Sequence, residues 1–504
     1  MYKTYADYMD EISADELFEG LLGYGLFADK MPPCLSSEAY YSYCKTHNPT
    51  YDQKKWHQFA IYSNIRNTNV PRILGIPTPM SYYAMCSLLK NNWADIQQYF
   101  RNKTQSSSVK VSRIHIRKIK GKKHLFEMNY PVWKTDGSPN PDFLIGSRYV
   151  VHADISQCFP SIYTHALPWA LVGKDNARQQ MGPGHNSKWF NRIDSCASRM
   201  KDGQTHGLLI GPHASNLLAE MILCAIDAEL SPHWKYVRNI DDYTCYVKTY
   251  DEAQNFLYEL EKHLRTYELT LNTKKTQIAE LPQATIEQWD RQLNSVSLLA
   301  SYGKVNYKSA QGYLDFAVEL MQKNGMNSSI LKYAIKVLKD MPLTENAKRC
   351  CEKTIFHLTV IYPYLVPLLE EYVFQAFSVS DSAIKNILEI LYDVGRQTHN
   401  YETTAYVLYY ALLHNCQITS ININDIITSQ DCIYMLMAYL YCKHWNMQSD
   451  INTPHTYALG LSSKDPNTFD PLWVFAYEAL DATELKGDWV ALKKAKISFV
   501  KQTW

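Results

Sequence analysis

Apolar and polar positions change their rhythm along this chain near residue 285. Before it, short β-branched and aromatic runs alternate with amphipathic stretches. Tyr149–Val151, Tyr236-Val237 and Tyr243–Val247 read as strands. Leu218, Ile222 and Ile226 recur at i, i+4 and i+8, the stripe of a helix expected from about Ser215 with that serine as its cap. Asp251–Tyr267 repeats the pattern with Phe256, Leu257, Leu260 and Leu264. Trp56–Phe100 reads as mainly helical with breaks at Pro71, Pro77 and Pro79, and residues 1–30 have helix-like spacing with Tyr2, Tyr5 and Tyr8 three apart.

Beyond residue 285 the period is helical throughout. Ser328–Lys339, Thr344–Leu358, Ser382–Gln397, Tyr401–His414, Asp431–His444 and Pro471–Asp481 each predict a helix. Stacked antiparallel pairs would make an α-solenoid, although no sharp repeat is visible. The tyrosine-rich strings Tyr406–Tyr410 and Tyr434–Tyr441 fit helix core; exposed, such rings would stack unpaired bases.

Composition narrows the class. With 504 residues, 46% hydrophobic, the chain can bury two or three cores. A net charge of +1 gives no global attraction to nucleic acid, so any such binding must be local. The local candidate is Arg101–Lys123, with nine Lys or Arg and no acid. Its alternation of basic and β-branched residues suits a strand pair, either a solvated edge or a surface that follows phosphates. Twelve cysteines without a CxxC pair, and no signal peptide, suit a reduced cytoplasmic interior. The apolar stretches are interrupted, so no membrane span is expected.

Chemistry concentrates on acids at strand ends. In KYVRNIDDYTCYV, Asp241 and Asp242 sit where a hairpin turn belongs; in RYVVHADISQCFP, Asp154 ends a β-branched run. An isolated Asp-Asp turn is usually just solvated. A third acid on a neighbouring strand would instead build the oxygen-rich site that two-metal phosphoryl transfer needs. Asp154 lies 87 positions before Asp241, so only the fold can join them.

HADISQCFPSIYTH, HGLLIGPHASNLLAEMIL, VRNIDDYTCYV and LTLNTKKTQI resemble, in that order, the palm motifs of reverse transcriptases. RILGIPTPMSYYAM (72–85) resembles their fingers. The pattern is most similar to the bacterial abortive-infection polymerases of the AbiK kind, in a prophage-borne form. The resemblance implies an α+β palm and fingers followed by an all-α, HEAT-like helical repeat domain in place of a thumb. Its expected parts are an N-terminal helical arm (1–30), fingers (31–147), palm (148–285) and helical repeats (286–504). By the same resemblance Asp154, Asp241 and Asp242 would ligate two Mg²⁺, with Mn²⁺ as the substitute ion, and the Ile155 carbonyl would add a ligand. Arg66, Arg72 and Gly211 would contact a dNTP, Phe159 would exclude a ribose 2′-hydroxyl, and Lys275 would meet the leaving pyrophosphate.

Two departures bear on activity. The family's Tyr-x-Asp-Asp is Asn239-Ile240-Asp241-Asp242 here, and the Gln before its motif glycine is Ile210. Both usual residues help hold a primer and template. The resemblance therefore implies untemplated synthesis of single-stranded DNA on a protein tyrosine, for which Tyr8 is the chosen residue, by a homo-oligomer acting in phage defence. The alternatives are a template-copying, retron-like reverse transcriptase with an RNA partner, and a silent nucleic-acid-binding scaffold.

Overall fold

The computed structural model describes residues 5–52, 54–66, 70–104, 116–119, 121–125, 140–180, 188–284, 287–296, 303–419, 421–463, 466–502 and 504. Most of the basic run, and Tyr2, lie outside these residues.

Two sheets organise the first half. Strands β1 (Phe59–Asn64) and β2 (Arg72–Pro77) pair antiparallel, Phe59 opposite Pro77 and Asn64 opposite Arg72. This corrects the mainly helical reading of residues 56–100. Helix begins only at Pro79, which needs no N–H partner at a first turn, and runs over Pro79–Asn91 and Trp93–Thr104.

The second sheet holds β3 (Tyr149–Asp154), β4 (Tyr236–Asn239), β5 (Asp242–Val247) and β6 (Gln277–Glu280) in the order β4-β5-β3-β6, every pair antiparallel. Helix Tyr250–Thr266 packs on β3 and β5 and on helix His213–Leu230, whose Asp227 binds Tyr236 and Arg238 of β4. Helix His213–Leu230 is buried almost all round, Leu218, Ile222 and Ile226 included. It starts two residues before the expected Ser215, because Pro212 supplies the extended entry; Ser215 is buried inside the first turn.

Among the described residues, those from Tyr307 to Lys494 are mostly helical. Ser328–Lys339, Glu345–Ile361, Asp381–Gln397, Tyr401–Leu413 and Cys432–His444 each start after an Asn, Thr, Ser or Asp whose side chain accepts from a first-turn N–H. The tyrosine strings form core, and their hydroxyls find partners: Tyr392 with Tyr434 at 2.9 Å, Tyr410 on the Val366 carbonyl at 3.0 Å.

This helical half closes back on the first sheet. Trp473 Nε1 donates to the Ile76 carbonyl, buried His57 meets Asp470 at 3.2 Å, and Leu35 bridges Val500. One apolar core runs from Tyr8 to Val500. All twelve cysteines are free thiols, and all but Cys350 are buried. No helix among the described residues is long and apolar enough to cross a membrane.

Candidate active site

Pairing register carries Asp154 to the acidic turn. Asp154, last in β3, stands opposite Asp242, first in β5. The two-residue turn between β4 and β5 is Ile240-Asp241, and the Ile155 N–H donates to the Asp241 carbonyl at 3.1 Å. Three carboxylates thus share one end of the sheet.

Their titration records the crowding. Burial and then repulsion from Asp154 raise Asp241. Burial and the Asp241 charge push Asp242 up to about 6, its carboxyl within hydrogen-bonding reach of Asp154. Asp154 is itself held from the segment after helix Tyr250–Thr266. Asn272 Nδ2 donates to Oδ1 at 3.0 Å, Lys275 Nζ to Oδ2 at 2.8 Å, and the Asn272 N–H to the Asp154 carbonyl at 2.7 Å. The hydrogen bond to Asp154 raises Lys275.

That segment, LTLNTKKTQI, is the one whose Lys275 the resemblance sets against the leaving pyrophosphate. Asn272 folds it into a turn: its carbonyl accepts from Lys275 and Thr276 and its Oδ1 from Lys274, so β6 starts only at Gln277. Sequence reading passed over Asn272, though an Asn-Thr pair between two apolar runs is a turn signal.

A second missed residue lies behind the turn. Ile240 is β-branched yet has φ +59, a left-handed conformation that costs such residues free energy. Arg238, fully buried, donates to the Ile240 carbonyl at 2.7 Å and also binds Glu220 and Asp227. Burial opposes its charge, but the two carboxylates hold its pKa well above the usual value. Tyr236 adds a hydrogen bond to Asp227 at 2.8 Å. An arginine two residues before an acidic turn is the available signal; alternation along a strand does not show that it is buried.

The other expected site residues are distributed as follows. Arg72 opens β2 near enough to Asp241 to feel its charge, while its surroundings and the like charge of Arg66 lower its pKa. Arg66 is exposed just beyond β1. Gly211 has φ +127 and approaches β2: a Cβ there would stand 3.3 Å from the Gly75 carbonyl, and the Gly75 N–H donates to Ile210. Ile155 is buried and bridges Leu271; Phe159 is 9% exposed on the short helix Cys158–Ser161. Tyr8 does not join the cluster. It is 7% exposed, with the Arg117 guanidinium 5.2 Å from its ring centroid. Lys118 and Lys123, the described end of the basic run, pair with Glu16 and Glu19 of the N-terminal helices.

Among the described residues no group of three or more acidic, His or Cys side chains stands in metal-binding geometry, and Asn272 and Lys275 each hold one Asp154 oxygen. The donor set itself suits a hard divalent ion. It is all carboxylate, and burial together with the neighbouring acids raises Asp241 and Asp242.

Residues 140–307 match the family model described as reverse transcriptase (RNA-dependent DNA polymerase). No curated protein matches the chain by sequence. Among solved structures, an apo telomerase from Candida tropicalis is similar at 11% identity with a TM-score of 0.34, over 81% of this chain and 74% of that one. The three carboxylates, Asn272 and Lys275 all fall within the residues that match the reverse transcriptase model.

Proposed function

We propose that this chain is a DNA polymerase that starts on a tyrosine of its own and adds dNTPs without a template, in abortive-infection defence of a bacterial cell. The observation that carries the polymerase part is the cross-strand pair Asp154–Asp242 with Asp241 on the adjoining turn. Asp154, Asp241 and Asp242 would hold Mg²⁺, or Mn²⁺ in its place. Bound there, the ions supply Lewis acidity and neutralise triphosphate charge.

The chain's own residues provide the rest. Arg72, with Arg66 behind it, offers guanidinium donors to phosphate oxygens beside Asp241. Phe159 selects against a 2′-hydroxyl, and Gly211, by keeping β2 close, sets the wall on which the nucleotide rests. The hydroxyl oxygen attacks the α-phosphate and gives its proton to solvent water. A new P–O bond forms, the α–β bridge breaks, and Lys275 at the edge of the cluster gives a proton to the departing pyrophosphate.

The untemplated reading draws on Asn239 and Ile210, which stand where template-copying relatives have Tyr and Gln. Tyr8 would prime only after leaving its place beneath Arg117. The HEAT-like helical half would stand in for a thumb, and the chain would work as a homo-oligomer.

The second reading, template copying, is favoured by the description of the matched family. Incubation with Mg²⁺ and labelled dNTPs, without nucleic acid, separates the two. Label that stays on the protein through denaturation is the expected result, and peptide mapping then names the tyrosine. Strict dependence on added RNA and primer overturns self-priming in favour of copying. No incorporation under either condition, with full cellular activity of an Asp241→Ala, Asp242→Ala variant, leaves only a scaffold.

A further inference from the structure

Helix Ser328–Lys339 carries Lys332, Lys336 and Lys339 at i, i+4 and i+7, hence along one face. Aromatic rings from the short helical segments after helix Glu345–Ile361 support them. Lys332 Nζ stands 5.1 Å from the Tyr364 centroid, and Lys336 and Lys339 stand 5.6 and 4.9 Å from that of Tyr372. Lys339 is also paired with Glu371.

The row continues to the polymerase site. Glu402, at the start of helix Tyr401–Leu413, accepts from Tyr62 Oη (3.1 Å), Asn64 Nδ2 (2.7 Å) and the Ile65 N–H (2.6 Å). It thereby anchors the end of β1, and with it Arg66, against the helical half. Lys332 feels Lys30, the opposite charge of Glu402, Lys336 and Arg66; Arg66 acts on Arg72, and Arg72 on Asp241. Among the described residues none of Lys30, Arg66, Lys332 and Lys336 is in an ion pair, and all but the half-buried Lys332 are exposed.

Holding these cations together costs repulsion, and the nearby acid, Glu402, already spends its oxygens on backbone and side-chain donors. In a chain of net charge +1 the concentration is local. A polyanion would relieve it. A small phosphate would engage one or two members, whereas a strand spans them all, with Lys332 and Lys336 about 6 Å apart along the helix axis.

We infer that Arg66, Lys332 and Lys336 form a track that binds the phosphate backbone of a single nucleic-acid strand running from the carboxylate cluster across the helical half. Burial, with the like charges of Lys30, Lys336 and Arg66 and against the opposite charge of Glu402, pulls Lys332 down to about 8. The identity of the strand as the polymerase product rests on the function proposed above; the surface itself does not.

The test is fluorescence anisotropy of the full chain in EDTA, without dNTPs, using labelled oligo-dT and oligo-rU of about 20 nucleotides. Lys332→Gln with Lys336→Gln should weaken binding by about tenfold at about 0.1 M salt and lower the log–log salt slope by about 1.4, two contacts' worth for a single strand. Lys332→Arg with Lys336→Arg should restore both. Loss with either oligomer supports the track, and loss with both shows that phosphate rather than sugar is read. Unchanged affinity and slope, or no binding by the parent chain, overturns it. Should the double variant not fold, Lys336→Gln at its exposed position carries the same comparison. A parent chain that binds through this row but incorporates no dNTP removes the polymerase reading and leaves the track; one that polymerises while the Gln variant binds normally does the reverse.

Discussion

Arg238 grips the carbonyl of Ile240 at 2.7 Å, one residue before Asp241, while its other donors are locked to Glu220 and Asp227. The strained φ of Ile240 is thus held by a buried ion network rooted in helix His213–Leu230, and the acidic turn inherits that helix's rigidity. Arg238→Met leaves two buried carboxylates without their cation and should cost about 3–5 kcal/mol, enough to lower the yield of folded protein. Arg238→Lys keeps the charge but cannot span all three acceptors. It should fold with a lower Tm and lose about 10–100-fold in kcat with little change in KM for dNTP, the pattern of a positioning residue. A change confined to Tm would show that Asp241 stays in place without the guanidinium.

The acidic cluster opposes stability in order to be chemically useful. The folded state holds a proton on Asp242 up to about pH 6, above the ordinary carboxylate value, so stability contributed here falls as pH rises from about 4 through 6. Asp242→Asn removes that penalty. It should raise Tm at pH 8 and make no difference at pH 4, while dNTP incorporation drops about a thousandfold. Adding Mg²⁺ should raise the Tm of the parent chain and not that of the variant. Equal Tm values at pH 8 would mean that the carboxylates do not repel one another in the folded protein.

Glu402 is the clasp between the helical half and the β1 end that leads to Arg66 and Arg72. Glu402→Ala strands three donors, two of them from Tyr62 and Ile65, and should cost about 2–3 kcal/mol. Because the loosened segment carries the guanidiniums and not the carboxylates, KM for dNTP should rise several-fold with kcat nearly kept. Glu402→Gln retains an acceptor for Tyr62 and Asn64 and should fall between. A fall in kcat with KM unchanged would place the consequence at the acidic cluster instead.

How far the sequence reaches depends on how local each determinant is. Asp154 and Asp242 were legible because β-branched neighbours mark strand ends, and helix Ser328–Lys339 matched its reading because Asn327 caps it and its apolar period is clean. Strands β1 and β2 were not: each has its partner in the other, and three prolines resembled helix breaks. Arg238 was hidden because an arginine ordinarily faces water, and two acids on a separate helix reverse that. Tyr8 was chosen for its terminal position, whereas packing against Arg117 is a tertiary fact.

The same opposition of burial and hydrogen bonding can be tested far from the catalytic chemistry, at Asp431. Its Oδ1 caps helix Cys432–His444 by accepting from the Ile433 N–H at 3.2 Å and the Tyr434 N–H at 2.9 Å. Those bonds and the helix dipole favour a charged cap. Burial nevertheless wins and raises the carboxyl to about 6. The folded chain therefore binds a proton more readily here than the unfolded chain does, and the stability this group contributes declines from about pH 4 to pH 6 and stays low above it. Asparagine caps about as well as aspartate without the charge, so Asp431→Asn should raise Tm by about 2 °C at pH 8 and by nothing at pH 4, read by calorimetry. Asp431→Ala loses the cap itself and should cost about 1 kcal/mol at pH 4, and less at pH 8, where it also removes the buried charge. If the asparagine variant were as unstable as the alanine one at pH 8, the anion would be what the helix needs, and burial would not be the stronger effect.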